Sequence, residues 1–470
     1  MRINYLKRLN NKNLRFLRKG QDNLYFIANP IFHINRLHPI VFKNYEIIKS
    51  SFFYFKLILK FFNNLAKIFG NLFLSLISNF KIKKKYKKKA NLIISHLINP
   101  KLYSNYNDFY MHDIIRNYSS IKLSNIFLIN CTKLRKSKIE KNSDSEKILS
   151  DIILDFNREI DIFLKRIIAS FKFLKINKKY KIFINTREKL LFFFSFYEPQ
   201  YRFNLIILYQ VRIILKKLDV DKVYLTYEGH AIDRGIILLS KKISDKIKVY
   251  GYYHPPLFDN LLSSKKKIGS KLDPDYLICN SYPAYNFFKK IYKGKTLQSN
   301  RNNFKTFDDK KLNKKKLCIV LSEGLKDEMN VFINFIKIYA LKNKSFNFIF
   351  QIHPNLDFNF YKNIINRLGI SNITCKKSED INYSSVSYAV YRGSGSIIEL
   401  VAKYKIYPIY LDIFKSFNID TLFEINQKNR LGYIQKNLHL LNIKDLNNQK
   451  KNFLLKSYRY CKNYYLYDAN

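Results

Sequence analysis

The sequence predicts an α/β protein of two Rossmann-like, parallel-sheet domains, and three observations carry that expectation. Short apolar runs alternate with longer stretches of helical periodicity from about residue 90 onward, the rhythm of strand–helix–strand units. Two blocks, 219–292 and 317–411, repeat this alternation. Between them lies a polar, charged stretch, 297–316, with the composition of a linker.

A chain of 470 residues has room for two or three domains with sizeable cores. Hydrophobic residues make up 47%, which excludes an intrinsically disordered chain. Lys and Arg number 85 against 35 Asp and Glu, a formal net charge of +50. Such a balance attracts anions. The basic residues are spread throughout, in a chain rich in Lys, Asn, Ile, Phe and Tyr and without Trp, as A+T-rich codons would supply. The charge therefore points to an anionic membrane surface and not to a specific nucleic acid. Five scattered cysteines form no CxxC pair, which suggests neither a zinc site nor a disulfide framework. Cys279 and Cys318 lie in apolar runs, as buried free thiols of a reducing cytoplasm would.

Along the chain, the N-terminus carries no apolar core of signal-peptide length. Residues 52–80 form a largely apolar run whose only charged residues are Lys56, Lys60 and Lys67, and nine residues, KIKKKYKKK, follow at 81–89. The expectation for 1–89 is a basic, amphipathic, membrane-associating segment whose helices lie on the inner face of the cytoplasmic membrane. A buried helix pair is the alternative, and a spanning helix a further one. A first α/β domain is expected over 90–296. There Ile126–Asn130 and Tyr180–Asn185 read as strands, 147–173 as one long amphipathic helix, 140–146 as a polar loop and 204–217 as a helix. Lys222–Thr226 reads as a strand, 231–243 as a helix, Lys248–Tyr253 as a strand, and 274–279 as a strand leading into a helix. A second domain, 317–470, opens with the strand Leu317–Leu321, the turn Ser322-Glu323-Gly324 and a helix to Leu341. The strand 347–352 then runs into His353-Pro354, followed by a helix over 360–368.

Parallel sheets bind ligands beyond the carboxyl ends of their strands, and polar residues gather there. Glu228, Gly229 and His230 follow one strand of the first domain, and His254 follows the next. In the second domain, SYAVYRGSGSIIELVAKYKIYPIYL at 387–411 reads as strand, turn, helix and strand. Its turn, Arg392-Gly393-Ser394-Gly395-Ser396, combines close backbone approach with the free N–H groups of a starting helix, which suits a phosphate. Glu399, one turn in, can accept hydrogen bonds from sugar hydroxyls. Asp273-Pro274-Asp275 has the spacing of a metal-binding DxD, but its Pro fixes a turn into a strand, so no metal is assigned.

The segment Ser394-Gly395-Ser396-Ile397-Ile398-Glu399, with its helix and the strand around Pro408, resembles the nucleotide-binding segment of GT-B glycosyltransferases and of nucleotide-sugar 2-epimerases. The order Glu228-Gly229, His353-Pro354, Ser394 and Ser396 is similar to bacterial sialyltransferases and capsule or lipopolysaccharide transferases. The resemblance implies two domains facing across a cleft. It implies Glu228 as base, His353 as partner of the leaving phosphate, and Ser394 and Ser396 as phosphate ligands. Arg392, Gly393, Gly395 and Glu399 complete the nucleotide-binding set, while Gly229, His230 and His254 line the acceptor side. Tyr227 stands where the sialyltransferase motif has a second acid, and His254-Pro255 is a second His-Pro. The expected activity is inverting, metal-independent transfer from a CMP- or UDP-sugar, CMP favoured, to a glycan or glycolipid acceptor, without cofactor. The alternatives are a nucleotide-sugar 2-epimerase or hydrolase of the same fold, and a basic protein that binds lipid or RNA without catalysis.

Overall fold

In this computed structural model the structure describes residues 2–34, 45, 47–78, 91–97, 111, 125–131, 147–258, 261–293, 296–298, 314–322, 324, 326–353, 356–411, 419–423, 440 and 445–464. The chain forms two compact units. The first comprises Met1–His254, Leu261–Cys279 and Tyr285–Ser299; the second comprises Pro255–Asn260, Asn280–Ala284 and Asn300–Asn470.

The first unit is built on a seven-stranded, all-parallel sheet. Its strands are β1 (Leu92–Leu97), β2 (Asn125–Asn130), β3 (Lys147–Leu149), β4 (Lys222–Thr226), β5 (Lys248–Tyr253), β6 (Tyr276–Cys279) and β7 (Thr296–Gln298), in the order β3-β2-β1-β4-β5-β6-β7. The order reverses between β1 and β4, and at such a switch the flanking connections leave to opposite faces and open a crevice above the strand ends. Tyr224, Tyr250 and Tyr276 stand in register on β4, β5 and β6, with ring centroids 4.8 and 4.9 Å apart. Such cross-strand aromatic pairs stabilise a sheet by some tenths of a kcal/mol each.

The described part of 1–89 belongs to this unit. Helix α1 (Arg2–Lys19) buries Leu6, Leu9, Leu14, Phe16 and Leu17. Phe16 stacks on Phe32 at 4.7 Å and meets Phe173 at 5.3 Å, within an aromatic core that also holds Phe26, Phe183, Phe192 and Phe196. A short helix α2 (Leu24–Ile27) is capped by Asn23. Residues 52–80 give one helix, α3 (Phe53–Leu76), and the basic run 81–89 lies outside the described residues. Three further helices complete the layer: α4 (Phe156–Tyr180), α5 (Thr186–Ser195) and α6 (Pro199–Lys217).

Two expectations in this region are corrected. The stretch 147–173 is two elements: β3, then α4, which starts where Asp155 accepts from Arg158 N. Tyr180–Asn185 is no strand but the joint between α4 and α5. Lys181 adopts a left-handed conformation, and the Asn177 side chain bonds both N–H and C=O of Phe183, supplying what a neighbouring strand would have supplied. Asn185 then caps α5. The polar loop read at 140–146 lies outside the described residues.

The second unit holds a five-stranded, all-parallel sheet: β8 (Leu317–Leu321), β9 (Asn347–Gln351), β10 (Ile373–Lys376), β11 (Tyr388–Tyr391) and β12 (Tyr407–Tyr410), ordered β10-β9-β8-β11-β12. This repeats the switch of the first sheet, here between β8 and β11. Alternate residues feed the two faces. Cys318 and Val320 enter one core, Ile319 and Leu321 the other, so β8 reads as a continuous apolar run. Cys279 and Cys318 are buried and free, as expected. Of the linker read over 297–316, residues 299–313 lie outside the described residues; Leu297 and Gln298 belong to β7.

Candidate functional site

Each unit brings its motif to the carboxyl ends of the strands at its switch point. In the first unit, β4 ends at Thr226 and passes into a tight turn over Tyr227–His230. Gly229 takes φ +78°, and a Cβ there would lie 3.0 Å from Ser264 N, so glycine is required twice over. Asp233, buried in the first turn of helix α7 (Ala231–Ile243), accepts from the N–H of Glu228 (2.9 Å) and of His230 (3.0 Å). Ser263 Oγ donates to the Gly229 carbonyl at 2.7 Å. The fully buried Arg234 holds Ser263 in turn, donating to its Oγ and its carbonyl at 2.7 Å each. The turn is thus fastened on three sides, which fixes where the Glu228 side chain leaves it.

That carboxylate stands between two imidazoles. Oε2 is 3.7 Å from His230 Nε2, and Oε1 is 3.7 Å from Nε2 of His254, the residue that follows β5. Glu228 and His254 are about one-fifth exposed and His230 about half, so the group meets solvent at one side. The structure therefore unites Glu228, Gly229, His230 and His254, as the sequence reading placed them. It adds His96, from the end of β1, with Nδ1 3.2 Å from Thr226 Oγ1. Burial pushes the His96 pKa down to about 4, helped by His254 and His230 and opposed by Glu228. It is neutral near pH 7. The run Leu92–Leu97 carried the signal, an apolar strand ending in a histidine, but its pairing with β4 is not visible in sequence.

Tyr227 does not enter this group. It is buried, its hydroxyl donating to Asp273 at 3.1 Å and lying 3.3 Å from Tyr292. Asp273 also accepts from Ile268 N and Gly269 N, and Asp275 from Val249 N. Both acids of the DxD are engaged within the protein, Asp273 lying also 3.6 Å from Arg234 and Asp275 3.3 Å from Lys241.

In the second unit, β11 leads into Arg392–Gly395 and helix α11 (Ser396–Tyr404). The helix starts without a side-chain cap, and Ser396 is exposed while Gly393, Ser394 and Gly395 are partly so. Ile398 N already bonds the Gly395 carbonyl. Gly395 sits against Pro256, where a Cβ would come within 2.9 Å of the proline ring. Uncapped N–H groups at a helix start, beside two serine hydroxyls, are an anion-binding arrangement. Glu399 lies on the same helix, 3.5 Å from Lys403.

One expectation here is corrected. Arg392 does not present its guanidinium to a ligand; it is fully buried and bonded to the equally buried Glu328, in the first turn of helix α9 (Lys326–Lys342). It braces the start of the serine turn, whose outward-facing groups are N–H and O–H. His353 follows β9, its N–H donating to Ser322 Oγ at 2.9 Å, and Ser322 follows β8. The imidazole packs over Gly324, which takes φ +74°; a Cβ there would come within 2.6 Å of Nδ1. Burial lowers the His353 pKa below its ordinary value, which favours the neutral ring near pH 7. Pro354 and Glu323 lie outside the described residues. Strands β9, β8 and β11 are neighbours, so His353, Ser322 and the serine turn share one end of one sheet.

No family model matches the sequence, and no curated protein matches it. Solved structures similar to it include a UDP-N-acetylglucosamine 2-epimerase from Rickettsia bellii, at 13% identity over 73% of this chain and 82% of that one, with a TM-score of 0.40. MurG of Acinetobacter baumannii is 9% identical over 78% of this chain and 95% of that one, TM-score 0.36. The glycotransferase of kitacinnamycin is 8% identical over 80% and 96%, TM-score 0.43. These likenesses are too distant to place any residue.

Proposed function

We propose that this chain is a GT-B-type glycosyltransferase, inverting and metal-independent, that moves a sugar from a nucleotide-sugar donor to a glycan or glycolipid acceptor of a surface polysaccharide or lipopolysaccharide. The observation that carries this is Glu228, a carboxylate held by a fastened turn above a switch point, with an imidazole 3.7 Å to either side. In the proposed step Glu228 takes the proton of the acceptor hydroxyl as its oxygen attacks the anomeric carbon. The bond from that carbon to the phosphate oxygen breaks, and its electron pair leaves with the nucleotide. His230 and His254 pass the proton on towards solvent. The charge gained by the phosphate meets the N–H groups and hydroxyls of 393–396, with His353 as a neutral donor and Glu399 on a sugar hydroxyl of the nucleoside. The resemblance to sialyltransferases favours CMP as the nucleotide.

The experiment is product analysis with a panel of labelled CMP- and UDP-sugars, with and without glycan acceptors. Acceptor-dependent nucleotide release, unchanged by a chelator, is the expected result. Nucleotide release without acceptor, or an epimerised sugar, replaces transfer by the hydrolase or 2-epimerase reading.

A further inference from the structure

Helix α3 presents two unlike faces. Phe53, Leu57, Asn64, Ile68 and Ser75 recur at helical spacing and are buried against the unit, where α3 packs on α4, α5 and α6. The opposite face is apolar along its full length of about 36 Å. Phe55, Leu59, Phe62, Phe69, Phe73 and Leu76 stand on it, all more than half exposed; Phe73 reaches 70%. A soluble surface seldom leaves so long a run of large apolar side chains uncovered. The patch also widens sideways. Phe61 meets Phe194 at 4.8 Å, Phe194 meets Phe193 at 5.3 Å, and Phe193 meets Phe171 of α4 at 5.8 Å. Phe171 is 60% exposed, one helical turn beyond the half-exposed Ile168.

The charge around this patch is mostly basic, and the acid beside it, Glu198, is taken up by Lys60 of α3 at 2.6 Å. Helix α3 contains no Asp or Glu, and its exposed Lys56 and Lys67 flank the stripe. On α4 the exposed Lys172, Lys175, Lys178 and Lys179 follow Phe171. An apolar stripe rimmed by lysines complements an anionic bilayer, where the ring faces enter the acyl boundary and the ammonium groups reach the headgroups. A second copy of the chain would bring the same cationic rim against itself in an isologous contact.

We infer that α3 is an in-plane membrane anchor that seats the first unit on an anionic lipid surface, through Phe55, Leu59, Phe62, Phe69, Phe73 and Leu76. The helix is long and apolar enough to cross a bilayer. Its inner face is packed on protein, and crossing would strip that face away. The inference is independent of the proposed chemistry and is read without any measurement of activity.

The chain has no Trp, so Phe69→Trp creates a single reporter on the stripe, and Phe360→Trp a control on an exposed residue of the second unit. With full-length protein and phosphatidylcholine vesicles containing phosphatidylglycerol, the Phe69→Trp indole is quenched by acyl-chain bromines and the Phe360→Trp indole is not. Binding to vesicles of phosphatidylcholine alone is at least tenfold weaker. The triple variant Phe62→Glu, Phe69→Glu, Phe73→Glu, with its thermal melt retained, loses at least tenfold in binding to the anionic vesicles. Alkaline carbonate releases the bound protein. The inference is overturned if the indole of Phe69→Trp stays unquenched, or if the triple variant binds as well as the parent. It is equally overturned if carbonate fails to release the protein, or if light scattering shows a dimer that the triple variant dissolves while vesicles bind neither form.

Discussion

The two strand-end sites share a strand order and a buried arginine–carboxylate pair, and differ in what they turn outward. In the first unit a carboxylate faces outward, Glu228 between His230 and His254 at the solvent boundary, while the buried Arg234 holds Ser263 and lies 3.6 Å from the buried Asp273. In the second unit Arg392 is buried on Glu328, and the outward groups are backbone N–H, two serines, His353 and Glu399, the last beside Lys403. A proton-transfer site needs a titratable group that substrate can reach. An anion site in a protein of this charge gains more from fixed, directional donors, which cost no reorganisation when a phosphate arrives. The difference teaches that a charged residue in a motif carries no role until its burial is known.

Four experiments break or sharpen this comparison. The largest effect is expected from the two glutamates. Glu328→Leu removes a buried carboxylate from beside the buried Arg392 charge and costs about 3–5 kcal/mol in denaturant melts, whereas Glu228→Gln, at the boundary, costs less than about 0.5 kcal/mol. Arg392→Met added to Glu328→Leu restores most of the loss; equal costs for Glu328→Leu and Glu228→Gln would erase the contrast. Next comes pH. The unfolded chain protonates His96 near 6.5, but the folded chain not until about 4, so the folded state loses stability as pH falls through that window. About 3 kcal/mol of the acid destabilisation should be absent in His96→Gln, read as the difference between two pH–stability curves. Gly324→Ala forces a methyl against His353 and a strained φ, costing about 1–2 kcal/mol in the same melts and lowering nucleotide affinity. The smallest effect is expected for Ser396→Ala, which removes one proposed donor to the phosphate: nucleotide binding weakens by about 1 kcal/mol in calorimetry, with stability unchanged.

The strands of the switch points were legible because both faces of a central parallel strand are apolar. Lys222–Thr226, Leu317–Leu321 and the strand ends carrying Glu228, His254 and His353 follow from that pattern. What sequence hid was pairing at long range. Glu328 and Arg392 meet across 64 positions, so an arginine at the mouth of a phosphate motif looked like a ligand. His96 joins Thr226 across 130 positions, and no local signal connects them. Tyr180–Asn185 has the β-branched and aromatic content of a strand, but tertiary packing buried Ile182 and Phe183 and let Asn177 satisfy the backbone instead. Local propensity yielded there to a hydrogen bond that propensity does not count.

The most direct test of the account is the kinetic split of Glu228→Gln, measured with the nucleotide sugar and acceptor that the product panel identifies. The account predicts a fall in kcat of about 10²–10⁴-fold with nucleotide affinity unchanged within about twofold, because the proposed base and the proposed phosphate ligands reside in different units. Acceptor-dependent turnover within a factor of about three of the parent would contradict it.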